Sequence, residues 1–312
     1  MNEPEISIVI PAYNEDKNVF LLYKKLSEVL KRIGKPYEII FVDDGSRDGT
    51  LESLKRIHEK DKLVKIIVFR RNFGQTAALD AGFKNAEGKI IVATDADLQN
   101  NPEDIPRLLA KMKDGYDCVS GWRYKRKDSF SKKIFSLIAG FIRKMIVDDK
   151  VHDSGCTLKA YKRECFEGLT LFGEMHRFIP LILSIRGFRI GEIKVKHHYR
   201  KFGKTKYGPL RVFRGFLDLL VVKFWMQYSA RPIHLFGALG LASGFLGFII
   251  GLYLVIIKFF FGQVIGNRPL LFLSVLLIVL GVQFIMFGFL ADIMIKLYYK
   301  RDENYSIREI IK

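Results

Sequence analysis

The chain has 312 residues and a formal net charge of +18, from 51 lysines and arginines against 33 aspartates and glutamates. This excess of positive charge indicates an anionic partner: a nucleic acid, a phosphorylated small molecule or an acidic membrane surface. We expect no nucleic-acid partner, because the sequence contains no base-reading module. Since 49% of the residues are hydrophobic, we expect the chain to separate into a water-exposed part and a membrane part. The three cysteines have no disulfide or metal spacing, and the acidic first residues predict no cleavable signal peptide.

In the N-terminal part, short apolar runs alternate with segments of helical spacing. The apolar runs predict strands at Ile6–Ile10, Tyr37–Val42, Val64–Phe69, Ile90–Thr94 and Cys118–Gly121. The segments between them predict helices over residues 18–33, 48–59, 74–85 and 102–113. Short links between strands and helices predict an α/β fold with a doubly wound, mostly parallel sheet. The strands are continuous apolar runs, as expected when helices cover both faces of a sheet.

The pattern changes after residue 121. Residues 123–133 are strongly basic, and residues 134–147 predict an amphipathic basic helix. Residues 187–198 predict a strand or hairpin, and a polar loop with glycines follows over 199–208. The next segment mixes arginines with large apolar residues, which favours an interfacial helix lying on a membrane. The alternative is an ordinary amphipathic core helix.

Two stretches lack any charged residue, at 235–257 and 270–291. Each is longer than the roughly 20 residues that cross a ~30 Å hydrocarbon core, so we predict two transmembrane helices. The basic residues outside them place the main domain and both termini in the cytoplasm by the positive-inside rule. As a monomer this hairpin is a membrane anchor, whereas a homo-oligomer could use it otherwise. The predicted parts are a cytoplasmic domain (1–207), an amphipathic juxtamembrane helix (208–230), the membrane hairpin (231–296) and a cytoplasmic tail (297–312).

Asp95 and Asp97 directly follow the fourth predicted strand. Two carboxylates this close repel each other, and a cation relieves the repulsion. Mg²⁺ or Mn²⁺ with oxygen ligands suits such a pair and shares its other positions with substrate phosphates. The alternative for an isolated Asp-x-Asp is a loop with two solvated aspartates.

Polar motifs follow four of the predicted strands, at the edge where open α/β sheets bind ligands. Taken singly, each motif is equally consistent with a turn or a surface side chain. Together they predict one nucleotide-binding crevice. The candidate residues are Pro11, Tyr13 and Glu15 after the first strand, Asp44 after the second, Asp95, Asp97 and Gln99 after the fourth, and Arg123 after the fifth.

These motifs resemble the family-two glycosyltransferases, which have the nucleotide-diphospho-sugar (GT-A-like) fold. The most similar members are polyprenyl-phosphate glycosyltransferases of the dolichyl-phosphate mannose synthase type, including those with two C-terminal transmembrane helices. The matching segments are VIPAYNE at 9–15, VDDGSRDGT at 42–50, RNFGQ at 71–75, DADLQ at 95–99, GWR at 121–123, DSGC at 153–156 and RKFGKTKYG at 200–208.

The resemblance implies a role for each matching residue. The nucleoside would be held by Pro11, Tyr13, Glu15 and Asp44, with Asp95 on the nucleoside or ribose side. Asp97 and Gln99 would face Mg²⁺ or Mn²⁺. Arg200 and Lys206 would close over the donor diphosphate from a loop. In the same family, the segment around Glu174, His176 and Arg177 lies near the donor sugar, although helix capping or a buried polar network explains these residues equally well.

The basic cluster after the fifth strand predicts the acceptor site. We place the phosphate of a polyprenyl or dolichyl lipid near Arg123, Lys133 and Ser136, because a phosphate at a membrane needs such donors. A phosphate monoester is already largely dianionic at neutral pH, since its second pKa is about 6. No general base is therefore required, and Asp97 and Arg123 are the predicted catalytic residues.

The sequence therefore predicts inverting, metal-dependent sugar transfer from a nucleotide-sugar to polyprenyl phosphate on the cytoplasmic face of a membrane. UDP-glucose is the favoured donor, and GDP-mannose is the alternative. A second alternative is transfer to a glycan or glycolipid hydroxyl, which would need a base carboxylate where the chain is basic instead. A non-enzymatic alternative is a membrane scaffold or nucleotide-sugar sensor.

Overall fold

The computed structural model describes residues 3–124, 151–198, 232–262, 264–266, 269–298 and 307–311. The chain divides into two compact units. The first comprises Met1–Leu219 together with Glu303–Lys312, and the second comprises Leu220–Asp302. The C-terminal residues thus return to the unit in which the chain begins.

The first unit contains a single sheet with helices on both faces. Its strands are β1 (Ile6–Ala12), β2 (Tyr37–Asp43), β3 (Val64–Phe69), β4 (Ile90–Ala93), β5 (Cys118–Trp122), β6 (Lys159–Lys162), β7 (Ile190–Lys194) and β8 (Ile307–Ile311). Its α-helices are α1 (Asp16–Ile33), α2 (Thr50–Lys60), α3 (Gln75–Lys84), α4 (Ile105–Met112) and α5 (Ile179–Ile185). Short 3₁₀ helices lie at Pro102–Asp104, Arg163–Phe166 and Met175–Arg177.

The strand order is β7-β5-β6-β4-β1-β2-β3-β8. β1 pairs in parallel with β2 and β4, β2 with β3, and β5 with β7. β6 is antiparallel to both β4 and β5, and β8 is antiparallel to β3. The prediction of a mostly parallel α/β sheet is therefore confirmed.

Successive residues of the central strands point to opposite faces of the sheet, so each strand contributes to two cores. Ile8 and Phe41 belong to the core beneath α1, α2 and α4, whereas Val9 and Ile40 belong to the core beneath α3 and α5. This double burial explains the continuous apolar runs. Helix α1 ends at Gly34, which has a φ of 71° and donates its N–H to Leu30 O at 3.2 Å, as its sequence predicts.

Two strands have no counterpart in the sequence-based prediction. β6 (KAYK) is only four residues long and begins and ends with lysine, so it lacks an apolar run. β8 lies in the tail beyond the apolar helices, where its pairing partner in β3 is more than two hundred residues away. The predicted strand or hairpin at 187–198 is the single strand β7. Pairing with distant strands, rather than local pattern, forms β6 and β8.

The second unit contains two long apolar helices, α6 (Ile233–Phe261) and α7 (Pro269–Tyr298). Both have the length and composition to cross a membrane, and they include the predicted spans. They run antiparallel, because Gly240 packs against Gly281, whereas Gly247, further along α6, packs against Ser274, which comes earlier in α7. Ser274 Oγ donates to Gly247 O at 2.8 Å. Small residues at these contacts let the two backbones approach closely.

Candidate active site

The turns after β1 and β2 are joined by hydrogen bonds from both sides. Asn14 N donates to Ser46 Oγ at 3.0 Å, and Arg47 N donates to Asn14 Oδ1 at 2.9 Å. Glu15 N donates to Thr50 Oγ1 at 2.9 Å. Asn14 has a φ of +53°, a conformation that asparagine tolerates better than most residues. The two turns therefore form one wall at the carboxyl edge of the sheet.

The predicted nucleoside residues lie in or beside this wall. Pro11 is the second-to-last residue of β1, and Pro11, Tyr13 and Glu15 are all half-buried. The Glu15 carboxylate accepts from Asn18 Nδ2 at 2.5 Å. The wall thus combines a ring, a carboxylate and backbone groups, which is chemistry suited to a nucleoside.

Asp44 is buried and its carboxylate holds the turn that follows β3. It accepts from Asn72 Nδ2 at 2.9 Å, from Phe73 N at 2.7 Å and from Gly74 N at 3.0 Å. Its own backbone N–H donates to Ala12 O at 2.8 Å. Asp44 therefore connects the turn after β3 to the end of β1. The sequence does not predict this structural role.

Asp95 is half-buried, and both of its carboxylate oxygens accept hydrogen bonds. Gln75 Nε2 donates to Oδ1 at 2.7 Å, and Thr157 Oγ1 donates to Oδ2 at 2.8 Å. Thr157 Oγ1 in turn accepts from Asn100 Nδ2 at 2.8 Å. Burial, followed by the charge of Asp97, raises the pKa of Asp95 to about 7. A carboxylate with a raised pKa at a ligand-binding edge is a mark of a functional site.

The position of β6 brings Thr157 to Asp95. In the antiparallel pair of β4 and β6, Ala93 lies opposite Lys159. Asp95, two residues after Ala93, therefore meets Thr157, two residues before Lys159. Thr157 is not among the residues predicted from the sequence, because β6 was not predicted. Gln75 belongs to the RNFGQ segment, but no role was predicted for it.

Asp97 is buried and starts a tight turn. Its Oδ1 accepts from Gln99 N at 3.1 Å, and the intervening Leu98 has a φ of +62°. His198 N donates to Gln99 O at 2.9 Å, and Gln99 Nε2 lies 3.4 Å from His198 O. The turn therefore joins the Asp97 carboxylate to the backbone of Gln99, and joint binding of a metal by Asp97 and the Gln99 side chain stays a prediction.

These residues suit a divalent ion that is shared with a substrate. Within the described part of the chain, no group of three or more His, Cys, Asp or Glu side chains could hold a metal by itself. Mg²⁺ typically uses one or two carboxylates and completes its coordination with waters and substrate phosphates. The proximity of Asp95 and Asp97 gives the site the negative charge that such an ion would neutralise.

Arg123 follows β5 and forms a buried ion pair with Asp153. Its Nε donates to Oδ2 at 2.6 Å and its Nη2 to Oδ1 at 2.8 Å, while its backbone N–H donates to Oδ2 at 3.2 Å. The Asp153 carboxylate raises the pKa of Arg123 above its usual value. Gly155 passes so close that a Cβ there would lie 3.1 Å from Arg123 Nη2. The guanidinium is therefore held in one orientation.

Arg123 and Asp95 are close enough for the charge of each to shift the pKa of the other. The structure thus brings the acid pair and this arginine to the same edge of the sheet. The other predicted phosphate-binding residues, Lys133, Ser136, Arg200 and Lys206, lie outside the described residues.

The 174–177 segment makes internal and core contacts. His176 is buried, and its Nδ1 lies 2.6 Å from Thr76 Oγ1 on α3. Glu174 forms an ion pair with Arg177 at 2.8 Å. The His176 contact is a buried polar contact of the kind that the sequence left open as an alternative, whereas the Glu174–Arg177 pair is partly exposed.

Comparison with known proteins places this site in a family. Residues 7–170 match the model of glycosyl transferase family 2. A dodecaprenyl-phosphate galacturonate synthase of Rhizobium johnstonii is 42% identical over 98% of this chain and 93% of its own length. An undecaprenyl-phosphate 4-deoxy-4-formamido-L-arabinose transferase of Yersinia enterocolitica is 32% identical over 98% of this chain and 94% of its own.

A solved structure shares the fold. Glucosyl-3-phosphoglycerate synthase from Mycobacterium tuberculosis, in complex with Mn²⁺ and UDP-glucose, aligns with a TM-score of 0.56 and 18% identity over 73% of this chain and 81% of that one. The GT-A-like fold and the resemblance drawn from the edge motifs are confirmed. The chain is therefore a glycosyltransferase that belongs to glycosyl transferase family 2.

Proposed function

We propose that this chain transfers a sugar from a nucleotide-sugar to polyprenyl phosphate at the cytoplasmic face of a membrane. The observation that carries the proposal is the meeting of the acid pair Asp95 and Asp97 with the buried, oriented Arg123 at one sheet edge. An acid pair suits the metal-diphosphate end of a donor, and an arginine suits an acceptor phosphate. The names of the two relatives, which are similar over almost the whole chain, specify polyprenyl-phosphate acceptors for those proteins.

Mg²⁺ or Mn²⁺ would be held by Asp97 and Gln99. When bound, such an ion neutralises the departing nucleotide diphosphate. Asp95 is placed differently, because both of its oxygens already accept hydrogen bonds from protein side chains. We assign it to the nucleoside or ribose side of the donor.

The acceptor phosphate needs no general base, because its dianion is already a nucleophile at neutral pH. Binding it tightly would not by itself raise the rate, since uniform stabilisation of the ground state does not accelerate chemistry. The role of Arg123 is therefore to orient the phosphate in line with the anomeric carbon. Inversion at that carbon follows from a single displacement.

The donor sugar is the finer part of the proposal. UDP-glucose is the first donor to test, and GDP-mannose is the alternative from the sequence. UDP-galacturonate joins them because the Rhizobium relative is named for galacturonate.

Membrane attachment is supported by α6 and α7, which are long and apolar enough to cross a bilayer. β8 follows them in the chain and pairs with β3 in the main sheet. If both helices cross the membrane, the segments before and after them must lie on the same side, which agrees with β8 joining the sheet. The basic residues flanking the helices favour the cytoplasm for that side.

The test is a donor screen with the full-length chain in detergent or vesicles. Polyprenyl phosphate is incubated with each radiolabelled nucleotide-sugar and a divalent ion, and label is counted in the lipid phase. We expect label with one donor, and a loss of about a hundredfold or more for Asp97→Asn, as found when a group that stabilises transition-state charge is removed. Asp114→Asn is the matched control, because Asp114 is exposed and pairs only with Lys111 among its described contacts.

Label in a glycan or glycolipid instead of lipid phosphate would favour the hydroxyl-acceptor alternative. An absence of label with every donor, while nucleotide-sugar still binds, would favour the sensor.

A further inference from the structure

Glu192 on β7 holds the turn that contains Asp153. Its carboxylate accepts from His152 N at 3.0 Å and from Asp153 N at 3.2 Å, and it contacts His152 Nδ1 at 2.7 Å. The Glu192 side chain is 14% exposed. Three contacts to two consecutive residues fix the backbone of this turn to the edge strand of the sheet.

The same turn fixes Arg123 from the other side. Asp153 accepts three hydrogen bonds from Arg123, two from the guanidinium and one from the backbone N–H. β5, which leads into Arg123, is the direct neighbour of β7, and Ser120 lies opposite Glu192 in their parallel register. A continuous series of contacts therefore runs from Glu192 through the 152–153 backbone and the Asp153 carboxylate to the Arg123 guanidinium.

This series restrains the direction in which Arg123 can donate. A guanidinium carries five N–H donors in a fixed plane. Asp153 takes the Nε–H and one Nη2–H, so the plane of the group follows the position of Asp153. A second ligand must then approach the opposite edge of the guanidinium, which retains its Nη1 donors. Moving the 152–153 backbone would rotate this edge away from an incoming phosphate.

We propose that Glu192 is a positioning residue for acceptor binding, which acts through the 152–153 backbone and Asp153 to orient Arg123 toward the lipid phosphate. This inference rests on the proposed function for the identity of the acceptor. Glu192 does not contact substrate in it, and Asp153 is the intermediate that transmits its effect. The positioning concerns the acceptor alone, because the nucleoside wall is built from the turns after β1 and β2.

The test compares Glu192→Ala and Glu192→Gln in steady-state kinetics with donor and polyprenyl phosphate varied separately. Glu192→Ala should raise the KM for polyprenyl phosphate about tenfold, the effect of losing a hydrogen bond to a charged group, with the donor KM unchanged within about twofold. Glu192→Gln should recover most of the loss, since its amide oxygen still accepts a backbone N–H. Glu164→Ala is the control: Glu164 is 54% exposed and pairs with Lys162.

A second measurement reports on the same series without any substrate. The Arg123 amide donates to Asp153 and makes no contact with Glu192. Hydrogen exchange at this amide, followed by mass spectrometry, should speed up in Glu192→Ala and stay near the wild-type rate in Glu192→Gln. A simple loss of stability would instead raise exchange across the strands of the sheet and raise both KM values.

The two measurements separate the possible failures. If the wild type labels lipid phosphate and Glu192→Ala keeps its acceptor KM, the positioning role is wrong and the proposed function stands. If the wild type labels no lipid phosphate, the proposed function is wrong, and the Arg123 amide still decides whether Glu192 orients this arginine. Unchanged exchange there would overturn the inference in either case.

Discussion

Gln75 Nε2 lies 2.7 Å from Asp95 Oδ1, and this hydrogen bond joins the turn after β3 to the end of β4. Gln75 is the first residue of α3, and the preceding turn is held by Asp44. The turns after β2, β3 and β4 are thereby linked in series by the carboxylates of Asp44 and Asp95. These two predicted ligand-binding groups therefore also hold neighbouring parts of the site together.

Thr157→Val should weaken this network without changing the shape of the side chain. The valine cannot donate to Asp95 Oδ2, so this partly buried oxygen loses the hydrogen bond from Thr157. We expect a loss of stability of about 1–3 kcal/mol, the cost of an unsatisfied buried polar group, and a higher KM for the donor. Thermal unfolding and donor kinetics measure the two effects.

The matched control is Thr170→Val, because Thr170 is exposed. Equal melting temperatures for the two valine variants would contradict a structural role for the Thr157 hydroxyl.

Gly45→Ala should disrupt the nucleoside wall by a steric contact. Gly45 has a φ of +66°, and a Cβ at this position would lie 2.5 Å from the Arg71 backbone carbon. Gly168 has nearly the same φ, +64°, with nothing within 4 Å of its Cβ position. Gly168→Ala should therefore cost only about 1 kcal/mol for the left-handed backbone, whereas Gly45→Ala should cost more and weaken donor binding.

Comparing these two alanine variants isolates the contact, because the backbone cost is common to both. Unfolding experiments measure the stability of the two variants, and calorimetry measures how tightly each binds the nucleotide-sugar. If Gly45→Ala and Gly168→Ala were equally stable and bound donor equally well, the close approach of the two turns would not matter.

The metal-free chain should lose stability as the pH rises toward 7. Burial and the charge of Asp97 raise the pKa of Asp95 from its ordinary value of 3.8 to about 7, so the folded chain binds this proton more tightly than the unfolded chain. The resulting stabilisation is present below the ordinary pKa and is lost as the pH rises through about 7. Asp95→Asn should remove this pH dependence, because the amide does not titrate.

Melting temperatures in EDTA at several values between pH 5 and pH 8 provide the measurement. Asp114→Asn, which changes an exposed carboxylate, should keep the wild-type trend. The same slope in Asp95→Asn and the wild type would mean that another group dominates the pH dependence.

Deleting residues 303–312 should destabilise the sheet through β3. β8 pairs antiparallel with β3, with Ile67 opposite Ile310 and Ile66 opposite Ile311. Without β8, β3 becomes the edge strand of the sheet and pairs only with β2. β3 leads directly into the turn that Asp44 holds and that precedes Gln75. We therefore expect a lower melting temperature, a higher donor KM and a greater tendency to aggregate.

Deleting Lys312 alone is the control, since it leaves the whole of β8 in place. A melting temperature and donor KM equal to those of the full chain after removal of 303–312 would show that β8 is dispensable.

The sequence by itself determined the elements whose signals are local. The apolar runs of β1 to β5 mark strands because both faces of these strands are buried, and Gly34 marks the end of α1 because it tolerates a positive φ. The long apolar helices α6 and α7 carry their signal in composition alone. The edge motifs could be assigned to one crevice because parallel strands end at the same edge of a sheet.

The tertiary structure decided which side chains complete the site. β6 enters between β4 and β5 and carries the buried Lys159, so its sequence gives no strand pattern, yet it delivers Thr157 to Asp95. Likewise, Glu192 reaches the turn beside Arg123 only because β7 pairs with β5. No local sequence pattern predicts either of these two strand pairings. Each pairing forms because segments that are distant in the chain satisfy each other's backbone hydrogen bonds in the folded sheet. Hydrophobic periodicity describes only nearby residues, so it does not predict such long-range pairing.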